Sequence, residues 1–456
     1  MSARAPRWAC AMAALVPSAL LACEGARTLP PCPAGTERAA NGDCVLVARD
    51  AGVEAAAPGM DAGSDATAPD AGSEMDAMRP ADAAGLDARV DALDVEVDAR
   101  TADGEPDLGC RCACTPGAMT TIGAATAEVS SPRVVARPGG LAFAWRAQAD
   151  GHVHLALGDD TAASLRDGDL GALGLEPSLV VTSDGLAIAT RNGTGSSIAT
   201  QRLDAAATPV GMAGVLTVRG AREVALSARG DGGLALVWLG DGAAHLAMLD
   251  ADGREMRRVP VASVADAAPE LAAARGADRT LVAWSDEATV WAAVVEDDGR
   301  VGGAVSLTES GVLGRVREVS ASASGGGFVV AWAADVVDPL DVLVDEGDQI
   351  VAARVGLDGR PSGARVEVAR TSDPDVVWPT VAVASGDRDV AIAWAEGGEL
   401  VLARLSMDLD PWGAPLRTAA LDDIDEVFLA AVGGGYAAAW SGGRTGLGFA
   451  RFGCAE

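Results

Sequence analysis

The run Pro269-Glu-Leu-Ala-Ala-Ala274, a polar turn, Thr280-Leu-Val-Ala-Trp284, a second turn, Val290-Trp-Ala-Ala-Val-Val295, Asp297-Asp-Gly299 and a short apolar stretch ending near Leu307 decides the fold. Each apolar piece is four to six residues long and bounded by turn formers, which suits a strand and is too short for a helix. The unit recurs from about Ser131 to the end of the chain. Its anchor tryptophans fall at Trp145, Trp238, Trp284, Trp332, Trp394 and Trp440, with Thr190 in the one remaining place, at spacings of 45, 48, 46, 48, 62 and 46 residues. Periods of this size mark supersecondary units that bury their faces against one another, and each unit here holds four strand-sized segments.

The turns agree. Gly139-Gly140, Gly232-Gly233, Gly325-Gly326-Gly327 and Gly433-Gly434-Gly435 each precede the tryptophan strand, where a tight hairpin needs positive φ. Asp252-Gly253, Asp298-Gly299 and Asp358-Gly359 follow the third strand for the same reason. A small residue recurs along that strand at Ala156, Ala247, Ala293, Ala353, Ala403 and Ala450, with Gln201 the exception. Such a column suits sheets packed face to face at close range, with the tryptophans filling the wider part of each interface.

These units resemble secreted bacterial propeller repeats, whose strands read as an alternating run ending in Val-x-Trp and then a run ending in Asp-Gly. The resemblance covers roughly residues 132 to 453. It implies an all-β protein: a seven-bladed β-propeller of four-stranded antiparallel blades, with an open solenoid of the same repeats as the structural rival. The Trp-Asp dipeptide of one propeller class is absent and the glycines do not follow the kelch order, so no function is implied.

The seventh unit supplies only three strands, Val427 to Ala431, Tyr436 to Trp440 and Leu447 to Phe452. A missing fourth strand would leave an open edge. The stretch 120–129 reads as a spare strand and is expected to complete that blade, within a propeller domain of 108–456. Cys454 lies just beyond the last strand and Cys110, Cys112 and Cys114 just before the spare one, so Cys454 is expected to bond to one of the three, Cys114 being favoured. A thiolate metal site at Cys110-x-Cys112-x-Cys114 is the alternative.

Before the repeats the character changes. Arg4 and Arg7 precede the apolar run Trp8 to Leu21, and Leu20-Leu21-Ala22-Cys23 resembles a bacterial lipobox. The resemblance implies a signal peptide at 1–22, acylation of Cys23, and export to the outer membrane, facing the periplasm or the cell surface. An ordinary cleaved signal is the plain alternative. Residues 23–48 form a lipidated N-terminus with a small loop between Cys32 and Cys44. From 49 to 107 the sequence is low in complexity, with 16 acids against four arginines and almost no large apolar residue. Such a segment cannot bury enough surface to order itself. It reads as a disordered tether with a reach of roughly 40–50 Å; calcium binding by its aspartates lacks a fixed turn or closing glutamate.

The whole chain carries 65 acidic and 35 basic residues, all arginine, for a formal net charge of −30. That repels phosphate backbones and anionic headgroups, so nucleic acid and polybasic membrane docking are excluded as partners. No cofactor motif is found. His152 and His154 sit two apart on a strand as a metal pair would, but convergent further ligands are not evident and no metal site is assigned. No Gly-x-Ser-x-Gly elbow, P-loop or HExxH occurs, and Tyr436, the single tyrosine, is not in a sialidase-like setting. The expectation is a monomeric, non-enzymatic propeller, anchored to a membrane by lipid, that binds a protein or glycan. An envelope scaffold and a glycosidase or lyase are the other readings. The fifth unit is longer by about fifteen residues between its second and third strands. This acidic insertion, with Asp335, Asp338, Asp341, Asp345, Glu346 and Asp348, is the candidate binding loop.

Overall fold

The computed structural model describes residues 36–38, 44–46 and 114–454, apart from 118, 123–127, 163–165, 172–173, 266–269, 287, 309–313, 339–340, 372–379, 419–423 and 443–445. Residues 1–98 and 99–456 are separate units. In the first, Thr36–Arg38 and Cys44–Leu46 pair as a two-stranded antiparallel ribbon. Cys23, Cys32, Cys110 and Cys112 lie outside the described residues, as does the segment 49–107.

The second unit is a seven-bladed β-propeller. Its antiparallel sheets span 129–169, 175–217, 224–263, 271–306, 316–371, 381–417 and, for blade 7, 426–454. Within each, the strands follow one another outward in chain order, except that the outermost strands of blade 7 come from residues 114–122. In blade 4 these are Leu271–Arg275, Arg279–Asp286, Thr289–Glu296 and Val305–Ser306. Tight turns make this order possible: Gly299, for example, adopts φ +81° at the third turn of blade 4.

The core is divided among the blade interfaces. Among the described residues it forms seven apolar clusters, each shared by two adjacent blades. Trp145, Trp238, Trp284, Trp332, Trp394 and Trp440 each face the preceding blade and are at most 6% exposed. The alanine column lies beside them, fully buried, letting the sheets approach. Where Thr190 replaces tryptophan, the interface of blades 1 and 2 is filled by Leu155, Leu157, Leu179, Leu186, Ile188 and Leu203. The exception Gln201 has a reason too. The outer strand of blade 2 bulges opposite it, and its amide donates to the Val210 and Arg202 carbonyls at 3.2 and 2.8 Å, satisfying backbone that the broken ladder leaves open.

One of the seven clusters joins blade 7 to blade 1, where Phe143 meets Phe449 edge to face at 5.2 Å. An open solenoid would lack it, so the ring is closed. Closure uses the N-terminal side of the domain, but not as one strand over 120–129. Two short strands, Cys114–Pro116 and Thr120–Ile122, pair end to end along the last strand, Leu447–Cys454, while Val129 already opens blade 1. A single strand would have to turn directly into blade 1; splitting it lets the chain follow the long last strand and then leave. Cys114 sits opposite Cys454 in register and is disulfide-bonded to it across 340 residues of chain.

This bridge restricts the unfolded chain, for which loop-entropy reasoning gives an upper figure of roughly 6 kcal/mol against about 2–4 typically measured. Cys454→Ser is therefore expected to lower the melting temperature by roughly 4 °C or more in calorimetry. An unchanged melting temperature would show that the seam holds without its covalent tie.

Candidate functional site

The innermost strands present one edge of backbone N–H groups to the central channel, and the repeat supplies a side chain at a fixed place to meet them. That place lies 14 positions before the anchor, or 15 in blade 3, and in blades 3 to 7 it immediately precedes the residue paired with the anchor. Around the ring it holds Ser131, Glu176, Glu223, Glu270, Glu318, Thr380 and Glu426. Three of these reach the next blade in the same direction. Val381 N donates to Glu318 at 3.3 Å, Val427 N donates to Thr380 at 2.9 Å, and Ser131 N donates to Glu426. Ser178, Ser320 and Ser322, one row deeper or two, accept from Leu226, Val383 and Ser385 of the next blade at 2.9–3.1 Å.

The glutamates line a cavity of about 260 Å³ at this end of the channel. Glu176 is held by a two-pronged ion pair with Arg191. Burial, followed by the charge of neighbouring glutamates, pushes Glu223 and Glu270 up to about 8. Glu318 is likewise raised by burial to about 8, against the opposing hydrogen bond from Thr380. Glu426 is raised by burial, with Arg133 opposing. Arg133 lies 3.8 Å over the Phe428 ring, and burial lowers its own pKa. The side chains are half-buried by area because they face the channel, yet protein surrounds them on every side and thins the water that would stabilise their charge.

A second cavity, of about 590 Å³, opens between blades 6 and 7 at the other end of their innermost strands. One wall is the Gly433-Gly434-Gly435 turn; the other is Ser385 to Asp389. Asp389 and Arg404 form an ion pair at 2.6 Å, their side chains 11% and 14% exposed. The Arg404 guanidinium stands 5.0 Å from the Trp412 ring centre. The Tyr436 hydroxyl is buried and, like that of Ser385, has no hydrogen-bond partner of normal geometry; burial and then the Asp389 charge raise its pKa. Gly386 is required here, since a Cβ would meet Asp389 Oδ1 at 2.7 Å and the Tyr436 hydroxyl at 3.2 Å.

The insertion of blade 5 is not a loop. It lengthens the second and third strands into one hairpin, Gly327–Asp338 and Asp341–Gly356, with Asp335 opposite Asp348 and Asp338 opposite Asp341. Asp335 is taken by Arg317 at 2.6 Å, and Asp348 is buried. The backbone of Asp338, Asp341, Asp345 and Glu346 belongs to the hairpin. Asp335 and Asp348 are thus structural rather than free to bind.

The histidines are likewise occupied. His152 bonds Asp169 at 2.9 Å, His154 bonds Asp150 at 3.2 Å and stacks on Trp145, and His245 bonds the Gly240 carbonyl and stacks on Trp238. Among the described residues no group of three metal-binding side chains converges. Neither the glutamate ring nor the pocket was assigned from sequence. The ring's signal was its fixed offset from the anchors. The pocket's was that Trp412 and Tyr436 stand out from their columns.

No protein-family model matches the chain, and no curated protein matches it. Among solved structures, a chain of Kuenenia stuttgartiensis hydrazine synthase is 12% identical over 68% of this chain and 92% of its own, with a TM-score of 0.49. The β-propeller domain of Myceliophteria thermophila Cps50 (Swd1) is 13% identical over 75% and 100%, with a TM-score of 0.46. The six-bladed fucose-recognising lectin of Aleuria aurantia is 13% identical over 66% and 97%, with a TM-score of 0.41. At these identities likeness extends to the fold alone.

The glutamate ring has a consequence for stability. With folded pKa values near 8 against an ordinary 4.5, the folded state retains protons that the unfolded chain releases between those pH values. The ring's contribution is most favourable below about pH 4.5 and erodes as pH rises toward 8. Glu270→Gln keeps the shape and removes one titration. Its melting temperature relative to the parent is expected to rise between pH 5 and 8.5, by a few degrees in all. A pH-independent difference would show that Glu270 titrates normally.

Proposed function

We propose that this chain is an exported lipoprotein, acylated at Cys23, whose propeller is a non-catalytic binding module for a protein or glycan. The segment 49–107 acts as an acidic spacer between the outer membrane and the propeller. The lipobox and the composition of that segment support the anchored part of this reading; the propeller supplies a rigid frame for the rest.

The observation that carries the binding role is a break in the internal repeat. The residue five before each anchor is Gly140, Gly185, Gly233, Arg279, Gly327 and Gly435 in six blades, but Asp389 in blade 6. Four before the anchor stand Leu141, Leu186, Leu234, Thr280, Phe328 and Val390, but Tyr436 in blade 7. After the third strand, Gly302, Ser362 and Trp412 occupy one place in blades 4, 5 and 6, each donating its backbone N–H at 2.8–2.9 Å to a carbonyl of that strand. Only in blade 6 is it aromatic. Arg279 also departs from its column and is satisfied locally by Asp278 and the Leu357 carbonyl, whereas three other departures, Asp389, Trp412 and Tyr436, meet in one cavity. Departures that served folding alone would have no reason to converge. A pocket with a few convergent polar groups set in a rigid scaffold is what ligand recognition needs. No histidine lies in it, and its buried carboxylate, Asp389, is held by Arg404, which favours binding over acid–base chemistry.

Cys23→Ser is expected to move the protein from the membrane to the soluble fraction, with the acyl mass missing from the N-terminal peptide. Unchanged membrane association with an unlipidated parent N-terminus would overturn the lipoprotein reading. For the binding role, immobilised full-length protein should retain a component of an envelope extract that Gly433→Trp does not. Position 433 has open space around it and no positive φ, so the added ring blocks the pocket without straining the backbone.

A further inference from the structure

We infer that the cavity between blades 6 and 7 binds a neutral saccharide unit, which deepens the binding role just proposed and rests on it. In a chain of net charge −30, this cavity is balanced: Asp389 against Arg404 on its wall, and Asp387 against Arg388, both exposed, at its rim. A cationic or anionic guest would find its attraction to one partner offset by repulsion from the other. Held against each other, Asp389 and Arg404 act instead as a fixed dipole with lone pairs and N–H groups to share.

Hydrogen bonding narrows the guest further. Tyr436 is 1% exposed; its hydroxyl lies beside Asp389 and Gly386 without a hydrogen bond of normal geometry, and the Ser385 hydroxyl likewise lacks one; both residues line the cavity. A buried hydroxyl without a partner costs free energy, so a guest that supplies one is favoured. Each hydroxyl can both donate and accept, as can the hydroxyls of a sugar. A carboxylate guest would crowd Asp389; an ammonium guest would crowd Arg404. Vicinal sugar hydroxyls can donate to the carboxylate and accept from the guanidinium.

Shape supplies the third condition. Trp412 gives the wall an apolar aromatic surface suited to the C–H face of a pyranose. Its position is set by the repeat, through its N–H bond to Arg404 O at 2.8 Å and the neighbouring bridge of Leu405 with Pro411. The opposite wall is bare glycine, with open space at Gly433 and Gly434, so a guest can approach the backbone. About 590 Å³ is within the range of small-ligand pockets and holds one or two sugar rings.

The test is an array of neutral, sialylated and aminated oligosaccharides probed with the full-length protein, followed by calorimetry with the best-retained neutral glycan. Retention of neutral glycans is expected, with affinity changing less than about two-fold between 50 and 500 mM salt, since no net charge is neutralised. Trp412→Ala should weaken binding at least ten-fold. Tyr436→Phe should weaken it about three- to ten-fold with the melting temperature nearly preserved, because phenylalanine keeps the ring packing and the removed hydroxyl makes no hydrogen bond of normal geometry. Gly433→Trp should abolish it. Binding confined to charged glycans and lost in high salt overturns the inference, as does neutral-glycan binding that survives Trp412→Ala and Gly433→Trp. If no glycan binds but a protein is captured and Gly433→Trp releases it, the saccharide inference fails while the pocket's binding role stands. A captured component that Gly433→Trp still retains removes the role as well.

Discussion

Everything in this domain depends on the seventh interface. Six blade contacts could form in an open stack, but the cluster around Phe143 and Phe449 exists only if blade 7 meets blade 1. Closure has two requirements that the repeat cannot meet alone. The last strand, Leu447–Cys454, needs a partner on its outer edge, and the first and last strands of the ring need holding together. Cys114–Pro116 and Thr120–Ile122 meet the first, and the Cys114–Cys454 bridge the second. Residues more than 300 positions apart thus complete one sheet, and a covalent bond spans the seam.

The same geometry explains how backbone edges are managed on both sides of each blade. The inner edges face the channel and are met by glutamate, serine and threonine side chains of the preceding blade. The outer edges are blunted differently. Blades 4 and 6 end in two-residue strands, blades 1, 3 and 5 carry charges there, and the uncharged Pro209–Thr217 of blade 2 is bulged. Short, charged or bulged edges discourage pairing between chains. The glutamate ring is therefore part of the scaffold, even though burial raises Glu223, Glu270 and Glu318 far above the ordinary carboxyl range. It repeats, and what repeats serves the ring.

Residues that break the repeat behave differently. Thr190 and Gln201 break it and are compensated locally, by leucines in one case and by a bulge in the other. Asp389, Trp412 and Tyr436 break it and converge on a cavity. In a protein built from copies of one unit, this contrast separates accommodation from use: an accommodated exception is surrounded by packing, whereas these three surround space.

The periodic part of the structure was legible in the sequence because a strand's pattern is local. The tryptophan spacing, the turn glycines and the alanine column determined seven four-stranded units, and the place of Cys454 after the last strand pointed to the seam. Register decided the rest. Which cysteine faces Cys454, and the division of the closing strand in two, follow from the length of Leu447–Cys454 and the path into Val129, neither of which has a local signature. The blade 5 insertion read as a loop because its acids suggest solvent; continued ladder pairing makes it a hairpin and spends Asp335 on Arg317. The glutamate column was present at its fixed offset but hidden among 65 acids. The pocket's residues stood out singly from their columns, but nothing local joined them, since they are scattered along the chain and come mostly from two blades. A repeat specifies each blade through neighbours in the chain; only the closed ring specifies the angle between blades, and that angle brings Asp389, Arg404, Trp412 and Tyr436 around one cavity.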